Sequence, residues 1–213
     1  MSLISIENIT SDVKLGIWRI EETIDELLAY DMRLSKVIPF LSTCRHQARL
    51  CEKLTVYELV FLLTNGTATE IRHYQNGKPY IKGWNISISD TKGYAAVIVS
   101  RGKNVAVDIE YLSDRVSRIV HKFIRPDEYM PSITTQLINW SAKETTYKYF
   151  SEQNLQYFDM RLQTFQERKQ GVIIVENMKI VGKILPVYYR INNAFILTYA
   201  YAKESSLIGE IIN

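Results

Sequence analysis

Cysteine is scarce in this chain. Only Cys44 and Cys51 occur in 213 residues. Seven positions apart on one expected helix, they are too widely separated for an easy disulfide. Reduced thiols in a cytoplasmic protein are the expectation. Histidine is nearly as rare, and His46, His73 and His121 are scattered without zinc-ligand spacing. No apolar run is long enough to span a bilayer. The opening Met1-Ser2-Leu3-Ile4-Ser5-Ile6-Glu7 lacks the charged start and long apolar stretch of a signal peptide. No membrane partner is expected. A net charge of +3 is too small to argue for nucleic acid. The aromatic residues are not interleaved with a basic stripe, so no nucleic-acid partner is expected either. What is there is an ordinary globular composition, 46% hydrophobic, enough for a real core in one large domain or two small ones.

The patterning predicts a strand over 13–20, a short helix over 21–30 with Ile24, Leu27 and Leu28 as its apolar stripe, and a longer helix over 42–63 ended by Asn65-Gly66. Strands follow near 69–74, 85–89 and 94–100. Asn76-Gly77 and Asp90-Thr91-Lys92-Gly93 mark turns. After Tyr111 the composition shifts from strand to helix. That shift sets expected domains of 1–111 and 112–213. The second part predicts helices over 115–123, 126–130 and 136–150, then strands near 159–167, 171–176, 183–191 and 194–202. The tail 203–213 is expected to be loosely held. Helices followed by a meander of strands thus occur twice, which gives an α+β class with a duplicated architecture.

The chain is organised around Val105-Ala106-Val107-Asp108-Ile109-Glu110. On a strand, Val105, Val107 and Ile109 share one face, and Asp108 and Glu110 share the other. Two adjacent carboxylates repel. Either both are solvated on a half-exposed strand, or a hard divalent ion such as Mg²⁺ offsets the repulsion. Trp140, Glu144 and Lys148 lie four residues apart and form one helix stripe. Glu144 and Lys148 read either as a surface ion pair or as a third carboxylate and a phosphate-binding charge for the same place. Gly77-Lys78-Pro79 holds a lysine in a restrained turn. Ser87-Ile88-Ser89-Asp90-Thr91 places hydroxyls at a strand end, suited to turn chemistry or to phosphate oxygens.

In that order and spacing, Gly-Lys-Pro, Ser-x-Ser-x-Thr, Val-Asp-Ile-Glu and Trp-Ser-x-Lys-Glu-x-x-x-Lys resemble the 4'-phosphopantetheinyl transferase superfamily. The likeness is to its long, monomeric type, which activates peptide and polyketide synthetases. By motif the resemblance covers about residues 42–160. It implies a pseudo-dimer of two similar α+β halves, helices packed on antiparallel sheet, with the active site in the cleft between them. It implies coenzyme A in that cleft and Mg²⁺ on Asp108, Glu110 and Glu144. Glu144, Lys148 and Asp108 would carry the catalysis. Lys78 with Pro79, and Lys148, would lie near the coenzyme A phosphates. Ser89, Asp90 and Thr91 would lie at the nucleotide end. The acceptor would be a serine of an apo acyl or peptidyl carrier protein, with adenosine 3',5'-bisphosphate leaving. Trp140 would pack between the halves and position the Glu144 helix. The internal duplication makes a monomer sufficient.

Two positions depart from the family pattern. Asp90 stands where the family has histidine, and Tyr57 stands where its helix ends in arginine. In the family both residues help bind coenzyme A phosphate. Asp90 would have to protonate, turn away, or pair with Lys92 or Arg49. The alternative function is therefore a catalytically weakened family member that binds a carrier protein or a nucleotide.

Overall fold

The computed structural model describes residues 2–41, 44, 46–68 and 70–202. The chain divides into two compact units, Met1–Arg101 and Gly102–Asn213. The expected tail 203–213 lies outside the described residues, as do Ser42, Thr43 and Arg45 of the expected long helix and Thr69 of the expected next strand. Among the described residues no helix is long and apolar enough to cross a membrane.

The first unit is an antiparallel sheet under a helix. Its strands are β1 (Leu3–Asn8), β2 (Val13–Arg19), β5 (Asn85–Thr91) and β6 (Tyr94–Ser100), in the order β1-β2-β6-β5. Its helices are α1 (Ile24–Tyr30) and α2 (Gln47–Leu63). A short ribbon, β3 (Arg72–His73) with β4 (Pro79–Tyr80), stands apart from the sheet. Thr23 and Glu26 close a capping box at the start of α1, so the short helix holds two donors that would otherwise lack partners. Helix α2 buries Leu54, Leu59 and Leu63 completely. It lies so close to β2 that a β-carbon on Gly16 would meet Leu59 Cδ2 at 2.9 Å. Glycine at that position is what lets helix and sheet approach. Strand β1 was not foreseen. Strand β5 runs on through Asp90 and Thr91, and the turn to β6 shrinks to Lys92-Gly93, with Gly93 at φ +76°. Two-residue hairpins need a positive φ, which glycine adopts without strain.

The second unit packs α3 (Ile133–Tyr149) on a five-stranded antiparallel sheet. The strands are β7 (Asn104–Tyr111), β8 (Met160–Leu162), β9 (Gln170–Asn177), β10 (Ile184–Ile191) and β11 (Phe195–Ala202), in the order β7-β11-β10-β9-β8. Both units are thus α+β with antiparallel sheets. The carboxylate strand β7 pairs along its whole length with β11. It therefore belongs to the second unit, whereas the composition shift after Tyr111 had placed it with the residues before it. Ser132 caps α3, its hydroxyl accepting from Thr135 N at 3.0 Å. The cap starts the helix three residues before the predicted 136. The helix predicted over 115–123 is present as a 3₁₀ helix over 114–122, whereas 126–130 are not helical.

Candidate active site

Strand β7 is buried on both faces. Val105, Val107 and Ile109 line one, and Ala106 and Asp108 line the other, under α3. Asp108 is only 3% exposed. The half-exposed strand with two solvated acids is therefore excluded for Asp108, because a helix covers that face.

A buried carboxylate needs hydrogen-bond donors, and α3 supplies them. Lys148 Nζ donates to Asp108 Oδ1 at 2.7 Å and to the Val107 carbonyl at 3.1 Å. Ser141 Oγ donates to Asp108 Oδ2 at 2.8 Å. Thr198 of β11, paired directly across from Asp108, lies 2.8 Å from Ser141 Oγ and 2.7 Å from Thr145 Oγ1. Two residues along β7, Glu110 Oε1 accepts from Trp140 Nε1 at 2.8 Å. Glu144 Oε1 accepts from the Tyr157 hydroxyl at 2.7 Å. The Trp140 ring packs between Phe123 and Tyr157, each with its centroid at 5.1 Å. All of these residues lie in the second unit.

The electrostatics record the crowding of acids. Burial, and then the charge of Asp108, push the Glu110 carboxyl up to about 7, against the pull of the Trp140 hydrogen bond. Burial also raises Glu144, and Asp108 adds to it while Tyr157 and Lys148 oppose it. Tyr157 is itself pushed up by burial and by its bond to Glu144. A carboxyl raised in this way is a stronger proton acceptor than an ordinary one.

Among the described residues, no three His, Cys, Asp or Glu side chains stand as a ready-made metal-ligand group. The cation on Asp108 in the structure is Lys148. The donor set nevertheless fits a hard divalent ion. All three groups are carboxylates, and Asp108 raises both glutamates, a penalty that a bound cation would reverse. Glu110 and Glu144 each have one oxygen in a hydrogen bond with a protein donor.

Apart from Lys148, the candidate coenzyme A residues fall into the first unit and do not line one cavity there. Lys78 and Pro79 line a cavity of about 410 Å³ together with Lys82, Trp84 and Arg101. Asp90 lines a different cavity of about 290 Å³, with Arg49, Glu52, Lys53 and Tyr57. By strand alternation Ser89 and Thr91 occupy the face of β5 opposite to Asp90, and Ser89 is buried. Asp90 pairs with Arg49 at 2.8 Å, one of the expected outcomes for that carboxylate. Tyr57 is buried, and its hydroxyl accepts from Ile71 N at 3.3 Å.

Sequence reasoning missed five members of the second-unit arrangement. Ser141 and Thr145 had a signal, since both are hydroxyls on the inward side of a helix. Thr198 and Tyr157 had none. Lys143, part of the same motif, is fully buried and bonds Glu128 at 2.8 Å and the Phe123 carbonyl at 2.6 Å.

Residues 104–200 match the family model of the 4'-phosphopantetheinyl transferase superfamily. The matched segment begins with β7, ends within β11, and contains all of α3. The second unit is thus similar, over most of its length, to a domain of that superfamily. No curated protein matches the chain.

Proposed function

We propose that the chain transfers the 4'-phosphopantetheine group of a coenzyme A-type donor to a serine of an apo acyl or peptidyl carrier protein. The observation that carries this reading is the set Asp108, Glu110, Glu144 and Lys148, gathered between β7 and α3 inside the matched segment. In this reading the chain is of the long, monomeric type, built from two similar α+β halves. Lys78 with Pro79 serves the phosphates, and Asp90 serves the nucleotide end; Ser89 and Thr91, on the opposite face of β5, drop out of that role.

Each residue has a definite task. Asp108, Glu110 and Glu144 would hold Mg²⁺, which, when bound, neutralises charge growing on the pyrophosphate. Lys148 adds a second positive charge at the same oxygens, the kind of preorganised stabilisation on which phosphoryl transfer depends. Glu144 takes the proton from the attacking serine. Tyr157 holds Glu144 in place through its 2.7 Å hydrogen bond. Trp140 does the same for Glu110. The test is incubation with donor, Mg²⁺ and a panel of apo carrier proteins, read by intact mass.

A second reading has one specific support. Arg49 faces the 290 Å³ cavity but is neutralised by Asp90 and Glu52. A catalytically weakened relative acting as a carrier-protein or nucleotide binding module would have such an eroded phosphate site. It predicts binding without transfer in the same experiment.

A further inference from the structure

Every carboxylate of the second-unit cluster already gives oxygen to a protein donor. Both oxygens of Asp108 accept, Oδ1 from Lys148 at 2.7 Å and Oδ2 from Ser141 at 2.8 Å. Glu110 Oε1 accepts from the Trp140 indole at 2.8 Å, and Glu144 Oε1 from the Tyr157 phenol at 2.7 Å. These last two donors are not independent. Their rings pack on each other with centroids 5.1 Å apart, and the fully buried Phe123 meets both, at 5.1 and 6.4 Å. The indole comes from α3 and the phenol from the 3₁₀ turn Tyr157–Asp159, so one ring cluster fixes donors from two elements. A glutamate that turned both oxygens to one ion would leave a part-buried N–H or O–H without its acceptor, which costs free energy. Each glutamate is therefore set to give a cation one oxygen, not two. The rest of the ion's shell then falls to water and substrate oxygens. Such a shell suits Mg²⁺, which is small, strictly octahedral and reluctant to shed its waters. It does not suit Ca²⁺, which takes a larger shell and commonly draws both oxygens of a carboxylate.

We propose that Trp140 and Tyr157 select the cation: by each holding one oxygen of Glu110 and Glu144, they make the cluster a site for Mg²⁺ in preference to Ca²⁺. This deepens the transferase reading and rests on it, because that reading puts the ion on Asp108, Glu110 and Glu144. Both aromatic residues are positioning residues here. They act through the glutamates and do not touch the ion.

The experiment is Mn²⁺ binding to the full chain, read by electron paramagnetic resonance without donor or carrier, with Mg²⁺ and Ca²⁺ as competitors. It is run on the natural protein, Tyr157→Phe and Trp140→Phe. Both variants keep an aromatic ring in the cluster, and circular dichroism checks their folds. Glu144→Gln locates the signal, and Mn²⁺ affinity should fall at least roughly tenfold in it. The expected result is a natural protein that binds Mg²⁺ at least as tightly as Ca²⁺, with the Ca²⁺-to-Mg²⁺ affinity ratio rising roughly fivefold or more in each phenylalanine variant. A purely structural role would weaken both ions together and leave the ratio unchanged. An unchanged ratio in both variants, or tighter Ca²⁺ binding by the natural protein, overturns the selection. A shift in one variant alone overturns the role of the other residue. Mn²⁺ affinity that Glu144→Gln does not alter, or no Mn²⁺ bound at millimolar concentration, overturns the ion site and this inference with it. The transferase reading is judged separately, by intact mass of carriers incubated with coenzyme A and Mg²⁺, so the two can fail apart.

Discussion

Lys148 Nζ lies 2.7 Å from Asp108 Oδ1, so one ammonium ties the last turn of α3 to the middle of β7. The contact has a structural and a chemical side. Lys148→Met removes a charge-assisted hydrogen bond from a buried carboxylate, which costs on the order of 2 kcal/mol. It also removes a positive charge from the place where pyrophosphate charge grows. Transfer is expected to fall by roughly a hundredfold to a thousandfold. Urea denaturation and a single-turnover assay measure the two effects separately. A variant that retains full transfer would remove Lys148 from the mechanism.

Trp140 is expected to act within its own unit. The ring is wedged between Phe123 and Tyr157, and the indole N–H is committed to Glu110. Both ring contacts are with residues of the second unit. Trp140→Ala should cost roughly 3 kcal/mol. Trp140→Phe should cost less, yet still impair transfer, because phenylalanine cannot donate to Glu110. Equal transfer by Trp140→Phe and the natural protein would contradict the positioning role.

The Lys143–Glu128 pair is a test of buried charge. Both side chains are fully buried. Glu128 also accepts the backbone N–H groups of Arg125 and Leu162. Lys143→Met leaves that carboxylate without its cation, at an expected cost of roughly 3–5 kcal/mol. Lys143→Met combined with Glu128→Gln should cost clearly less than the sum of the two single changes. Simple additivity by denaturant titration would show that the two do not act as a pair.

Glu58 sets a pH dependence of stability in the first unit. It is 1% exposed, and burial, then its hydrogen bond to Asp31, raise its carboxyl to about 7 from a reference of 4.5. The folded state therefore binds this proton more tightly than the unfolded state. Its contribution is fully present below about pH 4.5 and is lost as pH rises through about 7. The full loss is on the order of 3 kcal/mol. Glu58→Gln cannot ionise, so its stability relative to the natural protein should rise between those limits. A difference that does not change with pH would contradict the burial argument.

The residues show why part of this was legible in the sequence. Alternation in β7 and four-residue spacing in α3 are local, so Asp108 and Glu110 on one face and Trp140, Glu144 and Lys148 on one stripe could be read directly. The partnership between Asp108 and Thr198 depends on a strand register set far along the chain. No local period reveals it. The burial of Asp108 likewise follows from α3 lying over β7. The unit to which β7 belongs is decided by its pairing with β11, not by composition. In the first unit, Ser89, Asp90 and Thr91 are adjacent in sequence, yet alternation sends Asp90 to the opposite face from the other two.

The most direct test of the central claim is transfer itself. The full chain is incubated with Mg²⁺, coenzyme A and a panel of apo carrier proteins, and each carrier is read by intact mass. The account predicts the gain of one phosphopantetheine group on at least one carrier, lost on mutating its acceptor serine and strongly reduced with Glu144→Gln. A well-folded natural protein that modifies no carrier, or a Glu144→Gln variant that transfers at the natural rate, would contradict it.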